Sequence, residues 1–102
     1  MLDDFIGWLK ACLAQEFDKE ALAGWVFGSS LQADASPHDV DVLLVVRDTE
    51  MEHLARVSAN LRKGFLRLFH IPLHLTRLTT SEFENHRELV NVLFKHGCRR
   101  IR

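Results

Sequence analysis

Residues 24 to 46 read GWVFGSSLQADASPHDVDVLLVV, with a Gly-Ser pair at Gly28 and Ser29 and two aspartates, Asp39 and Asp41, around the start of an aliphatic run. Val40 to Val46 is continuous, β-branched and aliphatic, the pattern of a strand covered on both faces. Carboxylates at the mouth of such a strand are costly unless something binds them. Residues two apart share a strand face, so Asp39 and Asp41 are expected to project together, roughly 6 to 7 Å apart along the chain. That spacing lets two carboxylates share a pair of hard divalent cations about 3.5 to 4 Å apart. Mg2+ takes oxygen ligands and keeps positions for water and phosphate oxygens. Upstream, Gly28 permits a backbone that lets main-chain N–H groups approach an anion. Ser29 and Ser30 add hydroxyl donors, and the segment after them is expected to open a short helix whose N-terminus favours phosphate. A metal pair beside a phosphate cradle would hold a nucleoside triphosphate.

Outward from this stretch the chain alternates helices and strands. Leu2, Phe5, Ile6, Leu9, Cys12, Leu13 and Phe17 lie at the spacing of one helical face, with Asp3 and Asp4 in the first turn. Trp25 to Phe27, closed by Gly28, reads as a short strand. Thr49 and Glu52 have the spacing of a capping box for a helix with Leu54, Val57, Leu61, Phe65 and Leu68 on its inner face, ending near Phe69. His70 to Leu78 reads as a third strand, with Pro72 near its start, where a missing donor does least harm. Thr79 and Glu82 repeat the capping-box spacing for a last helix through Phe83, Val90, Leu93 and Phe94, which Gly97 is placed to terminate. The closing CRRIR is either a short edge strand or a frayed tail. The order is α-β-β-α-β-α-(β), an α+β fold with helices packed on a mixed sheet, in one domain spanning residues 1–102.

The Gly-Ser pair, nine intervening residues and Asp39-Val40-Asp41 before VLLVV together resemble the nucleotidyltransferase superfamily, whose signature has that order and spacing. ASPHDVD looks like the loop that leads into the family's metal aspartates. In length the chain resembles the minimal nucleotidyltransferases. The resemblance implies a Mg2+-dependent enzyme that moves a nucleoside monophosphate from a triphosphate, ATP being the expected donor, to an acceptor. Asp39 and Asp41 would hold metal, and Gly28, Ser29 and Ser30 would hold the triphosphate. It also implies a third carboxylate on a later strand, after proline and an aliphatic residue. Here that position reads Pro72-Leu73-His74-Leu75, so His74 stands where the aspartate is expected. Imidazole is a possible base but a poor magnesium ligand. Glu82 and Glu84 are the nearest substitutes in sequence. The alternative is a catalytically degenerate member that binds nucleotide or protein, such as the antitoxin-like subunit paired with a helical HEPN-type toxin. A homodimer or a helical partner subunit is expected to complete the cleft.

Composition sets the other bounds. With 47% hydrophobic and 26% charged residues and a net charge of −1, nothing points to nucleic acid or a membrane surface as partner. The longest aliphatic run is too short to span a bilayer. The acidic start MLDDFIGWLK is unlike a signal peptide, so a cytoplasmic location is expected. Cys12 and Cys98 read as reduced structural thiols. His70 and His74, on one extended strand face, would stand about 13 Å apart, too far to share a zinc ion at roughly 2.1 Å from each. Arg47, Lys63 and Arg67 are candidates for steering a triphosphate or simply solvated charges, and Trp25 reads as core. A P-loop lysine motif is absent.

Overall fold

The computed structural model describes residues 1–32 and 37–102; the Ala35 and Ser36 part of the loop before the aspartates lies outside them. Helix α1 (Leu2–Glu16) is followed by strand β1 (Leu22–Phe27), a 3-10 turn (Ser29–Leu31) and strand β2 (Val40–Val46). A second 3-10 turn (Asp48–Glu50) leads into helix α2 (Met51–Phe69), then come β3 (Leu73–Thr79), α3 (Thr80–Asn85), α4 (Arg87–Leu93) and β4 (Cys98–Arg100). The sheet has four strands in the order β3-β2-β1-β4. β1 runs antiparallel to both β2 and β4, whereas β3 runs parallel to β2, with α2 as the crossover between them. The chain is therefore an α+β fold with a mixed sheet, and CRRIR supplies a short edge strand.

Both faces of β2 are covered, which is why its sequence is continuously aliphatic rather than alternating. On one face Val40, Val42, Leu44 and Val46 meet α1 through Phe5, Leu9 and Leu13, and α2 through Leu54, Leu61 and Phe65. An aromatic cluster locks the two helices together: Phe5 lies 5.3 Å from Phe65 and 4.9 Å from Phe69 between ring centroids. On the other face Phe27, Leu43 and Val45 pack with Val90, Phe83, Leu93 and Phe94 of the α3–α4 segment. Trp25 is half-buried there, stacked on Phe83 at 5.6 Å and 3°.

Several boundaries differ from the sequence reading, each for a local reason. β1 begins at Leu22, three residues before Trp25, because the antiparallel ladder pairs Leu22 with Val46. No Thr49 capping box forms: Thr49 lies in the 3-10 turn, and α2 is capped by Glu50 without a side-chain hydrogen bond. Leu68 is exposed, because the aromatic cluster with Phe5 and Trp8 turns the Phe65–Phe69 side of the helix inward. His70 is not in a strand but ends α2 in the left-handed conformation (φ 59°). Pro72 restricts Ile71 to extended backbone, so the helix has to stop before it. With His70 at the helix end, the two-histidine strand face does not exist. The last helix is split at His86 (φ −123°), which lets Phe83 reach Trp25 while Val90 reaches the strand centre. α4 ends at Leu93, with Phe94 as its C-cap; Gly97 (φ 103°) shapes the turn into β4 instead, its N–H donating to Phe94 O.

The second capping box is present. Thr79 Oγ1 accepts from the Glu82 N–H at 3.1 Å, and Glu82 Oε1 accepts from the Thr79 N–H at 2.9 Å. Those bonds hold the Glu82 carboxyl below its usual 4.5. Its contribution to stability is therefore present above about pH 4.5 and lost as pH falls through the depressed folded value. Thr79→Ala is expected to cost about 1 kcal/mol at neutral pH, a fall in Tm of about 4 to 8 °C for a domain of this size. Thermal melts at pH 7 and pH 3 check both statements, since Glu82→Gln should differ from wild type only at the higher pH.

Candidate functional site

Asp41 and His74 are register partners across the parallel β2–β3 pair, and Phe27, the last residue of β1, is the partner of Asp41 on the other side. Strand alternation puts Asp41 on the face of Leu43 and Val45, and His74 on the face of Leu78, while Leu73 and Leu75 point into the α1–α2 core. Asp39 precedes the first residue of β2, yet its carboxylate turns to the same rim. His74 Nδ1 stands 3.6 Å from Asp39 Oδ2 and 3.6 Å from Asp41 Oδ1. One donor atom from each of the three residues lies within 4.8 Å of the other two. The rim is partly open: side-chain exposures are 35% for Asp39, 30% for Asp41 and 58% for His74.

Gly28 touches this group directly. Its backbone has φ 85° and ψ −160°, a region essentially reserved for glycine. A Cβ built there would lie 2.8 Å from Asp41 Oδ2. The glycine therefore makes room for the carboxylate, a role found only by knowing that Phe27 pairs with Asp41. Asp41 is consequently placed with Oδ2 against the turn and Oδ1 toward His74. Burial pushes its carboxyl above the usual 3.8, the Asp39 charge pushes it further, and His74 partly offsets both.

The donor set fits a divalent ion. Two carboxylates and one imidazole nitrogen are ordinary ligand types for such ions, and the space a Cβ would fill beside Asp41 is kept clear by Gly28.

Ser29 and Ser30 lie in the 3-10 turn that directly follows Gly28; the remaining candidates fall elsewhere. Ser29 is exposed, and Ser30 is buried with its hydroxyl unpaired among the described residues. Arg47 follows the far end of β2 and lines a separate hollow with Trp25, Phe83 and Arg100. Lys63 and Arg67 are exposed on α2, which packs on the opposite face of the sheet from Asp41. Glu82 caps α3 beyond the far end of β3, so neither it nor Glu84 replaces the missing carboxylate. Cys12 is half-buried, its thiol pushed up by burial, and Cys98 is exposed; both are free. Among the described residues no helix is long and apolar enough to cross a membrane.

No family model, no curated protein and no solved structure matches this chain.

Proposed function

We propose that this chain is a nucleotidyltransferase-type domain that binds a divalent ion on Asp39 and Asp41 and, with it, a nucleoside triphosphate, Mg2+ and ATP being the first pair to test. The proposed reaction is transfer of the nucleoside monophosphate to a hydroxyl acceptor: the acceptor oxygen bonds to the α-phosphorus as its proton passes to solvent or to a free imidazole, the bond to the bridging oxygen breaks, and pyrophosphate leaves. The observation that carries the reading is the convergence of Asp39, Asp41 and His74 at one rim of the sheet. The order of Gly28-Ser29 before Asp39-Val40-Asp41 supports it. A divalent ion held there would neutralise phosphate charge and favour ionisation of the acceptor. Gly28 holds the turn clear of Asp41, and the partly open rim admits a charged ligand.

His74 favours a second reading. A third carboxylate can both ligate an ion and take the acceptor's proton, whereas Nδ1 has a single lone pair and does one or the other. A chain with His74 in that position suits a binding domain that keeps the metal and the nucleotide but turns over slowly or not at all. It would then act with a second copy or a helical subunit, as the antitoxin-like members of two-component modules do.

Pyrophosphate release by wild type, His74→Asp and His74→Ala, with Mg2+ and ATP, separates the two readings. Slow turnover that rises in His74→Asp supports the enzyme. ATP binding that depends on Asp41 without turnover in any of the three supports the binding domain. Neither binding nor turnover overturns both.

A further inference from the structure

We infer that His74 is the third protein ligand of a single-ion site with Asp39 and Asp41, and that this site prefers a later first-row ion such as Co2+ or Zn2+ to Mg2+. The inference rests on the metal reading above but does not need the reaction.

The distances come first. Three donors on one ion, each at about 2.1 Å, stand about 3.0 Å apart in octahedral geometry and about 3.4 Å apart in tetrahedral geometry. The two His74 edges, at 3.6 Å each, are about 0.2 Å wider than the tetrahedral edge and about 0.6 Å wider than the octahedral one, and the edge between the two carboxylates lies within 4.8 Å. Rotation of these partly exposed side chains draws the three donors onto one ion. Asp41 presents Oδ1 to His74.

Donor chemistry then selects the ion. Mg2+ wants oxygen in a near-ideal octahedron and gives up water reluctantly, so a nitrogen as third ligand weakens it. The same nitrogen strengthens ions toward the zinc end of the first-row series. Its single lone pair serves one ion, so the ion that all three residues share is a single one.

Nearly every nitrogen- or oxygen-donor site favours later ions to some extent, so the test is a comparison between variants. The full chain is titrated calorimetrically with Mg2+, Co2+ and Zn2+, and histidine ring 15N resonances are followed in parallel. His74 is exposed, so His74→Ala and His74→Asp are expected to fold. Expected for wild type is a one-equivalent Co2+ and Zn2+ step that shifts the His74 Nδ1 resonance, a shift that Mg2+ does not produce. His74→Ala should weaken that step by at least about tenfold, which also separates it from ion binding at Cys98 or the other histidines. His74→Asp should bind Mg2+ more tightly and lower the Zn2+-to-Mg2+ preference by at least about tenfold. An unchanged preference in His74→Asp, with binding still dependent on Asp41, overturns the inference and leaves the metal reading standing. Ion binding that is indifferent to Asp41→Asn overturns both.

Discussion

Gly28→Val is expected to destabilise the fold by about 3 kcal/mol and to abolish divalent-ion binding in the same step. The backbone at φ 85° and ψ −160° costs a residue with a Cβ about 1 to 3 kcal/mol, and a β-branched side chain lies at the upper end. The new Cβ would also lie 2.8 Å from Asp41 Oδ2. The backbone of Asp41 is held by its pairing with Phe27 and His74, so its partly exposed carboxylate would have to rotate away from the rim. Stability and ion affinity therefore fall together. The sequence alone suggests a different outcome, with Gly28 facing phosphate and triphosphate affinity suffering more than metal affinity. Urea unfolding and Mn2+ titration of the variant decide between them. A destabilised variant that keeps wild-type ion affinity would place Gly28 outside the site.

Asp41→Asn is expected to weaken ion binding about 100-fold, equivalent to about 2.7 kcal/mol, while the ion-free protein becomes slightly more stable. Burial, then the Asp39 charge, raise the Asp41 carboxyl above its ordinary 3.8. The folded state thus holds the proton in a range where the unfolded chain has already released it. The stability this gives is complete below pH 3.8 and is lost as pH rises through the raised folded value, so at neutral pH the ionised carboxylate opposes folding. Asparagine removes that opposition. The side chain keeps part of its contact with solvent, at 30% exposure, so the gain is small, about 2 °C in Tm at pH 7, and it should vanish near pH 3. A site residue that improves stability when its charge is removed is the usual trade between function and fold. Asp39→Asn should also lose ion affinity, because it removes a second ligand.

Much of the fold was legible because its signals are local. β2 announced itself by composition, α1 by its apolar spacing, and the second capping box by Thr79 and Glu82. The elements that were misread depend on distant contacts. The extra length of β1 comes from its partner strand, and the break at His86 from two anchor points on the sheet. The sequence signal at His70 was available in Pro72, two residues later. For the site, the two aspartates and His74 were legible as residue types at suggestive positions. Their meeting was expected too, from strand alternation and the resemblance, and the parallel register that pairs Asp41 with His74 across the whole of α2 provides it. The contact of Gly28 with Asp41 was not, since it depends on the pairing of Phe27 with Asp41. Arg47 and Glu82 are near the site residues in sequence but belong to the opposite end of the strands, a separation that only the direction of the sheet reveals.

Diffraction at the manganese absorption edge, from crystals grown with Mn2+ and a non-hydrolysable ATP analogue, would decide whether Asp39, Asp41 and His74 form a metal centre. Mn2+ scatters anomalously and accepts both oxygen and nitrogen ligands. A single anomalous peak is expected between Asp39 Oδ2, Asp41 Oδ1 and His74 Nδ1, about 2.1 to 2.3 Å from each, with phosphate oxygens completing its coordination. An empty rim, with manganese found instead at other histidines or with the nucleotide bound elsewhere, would contradict it.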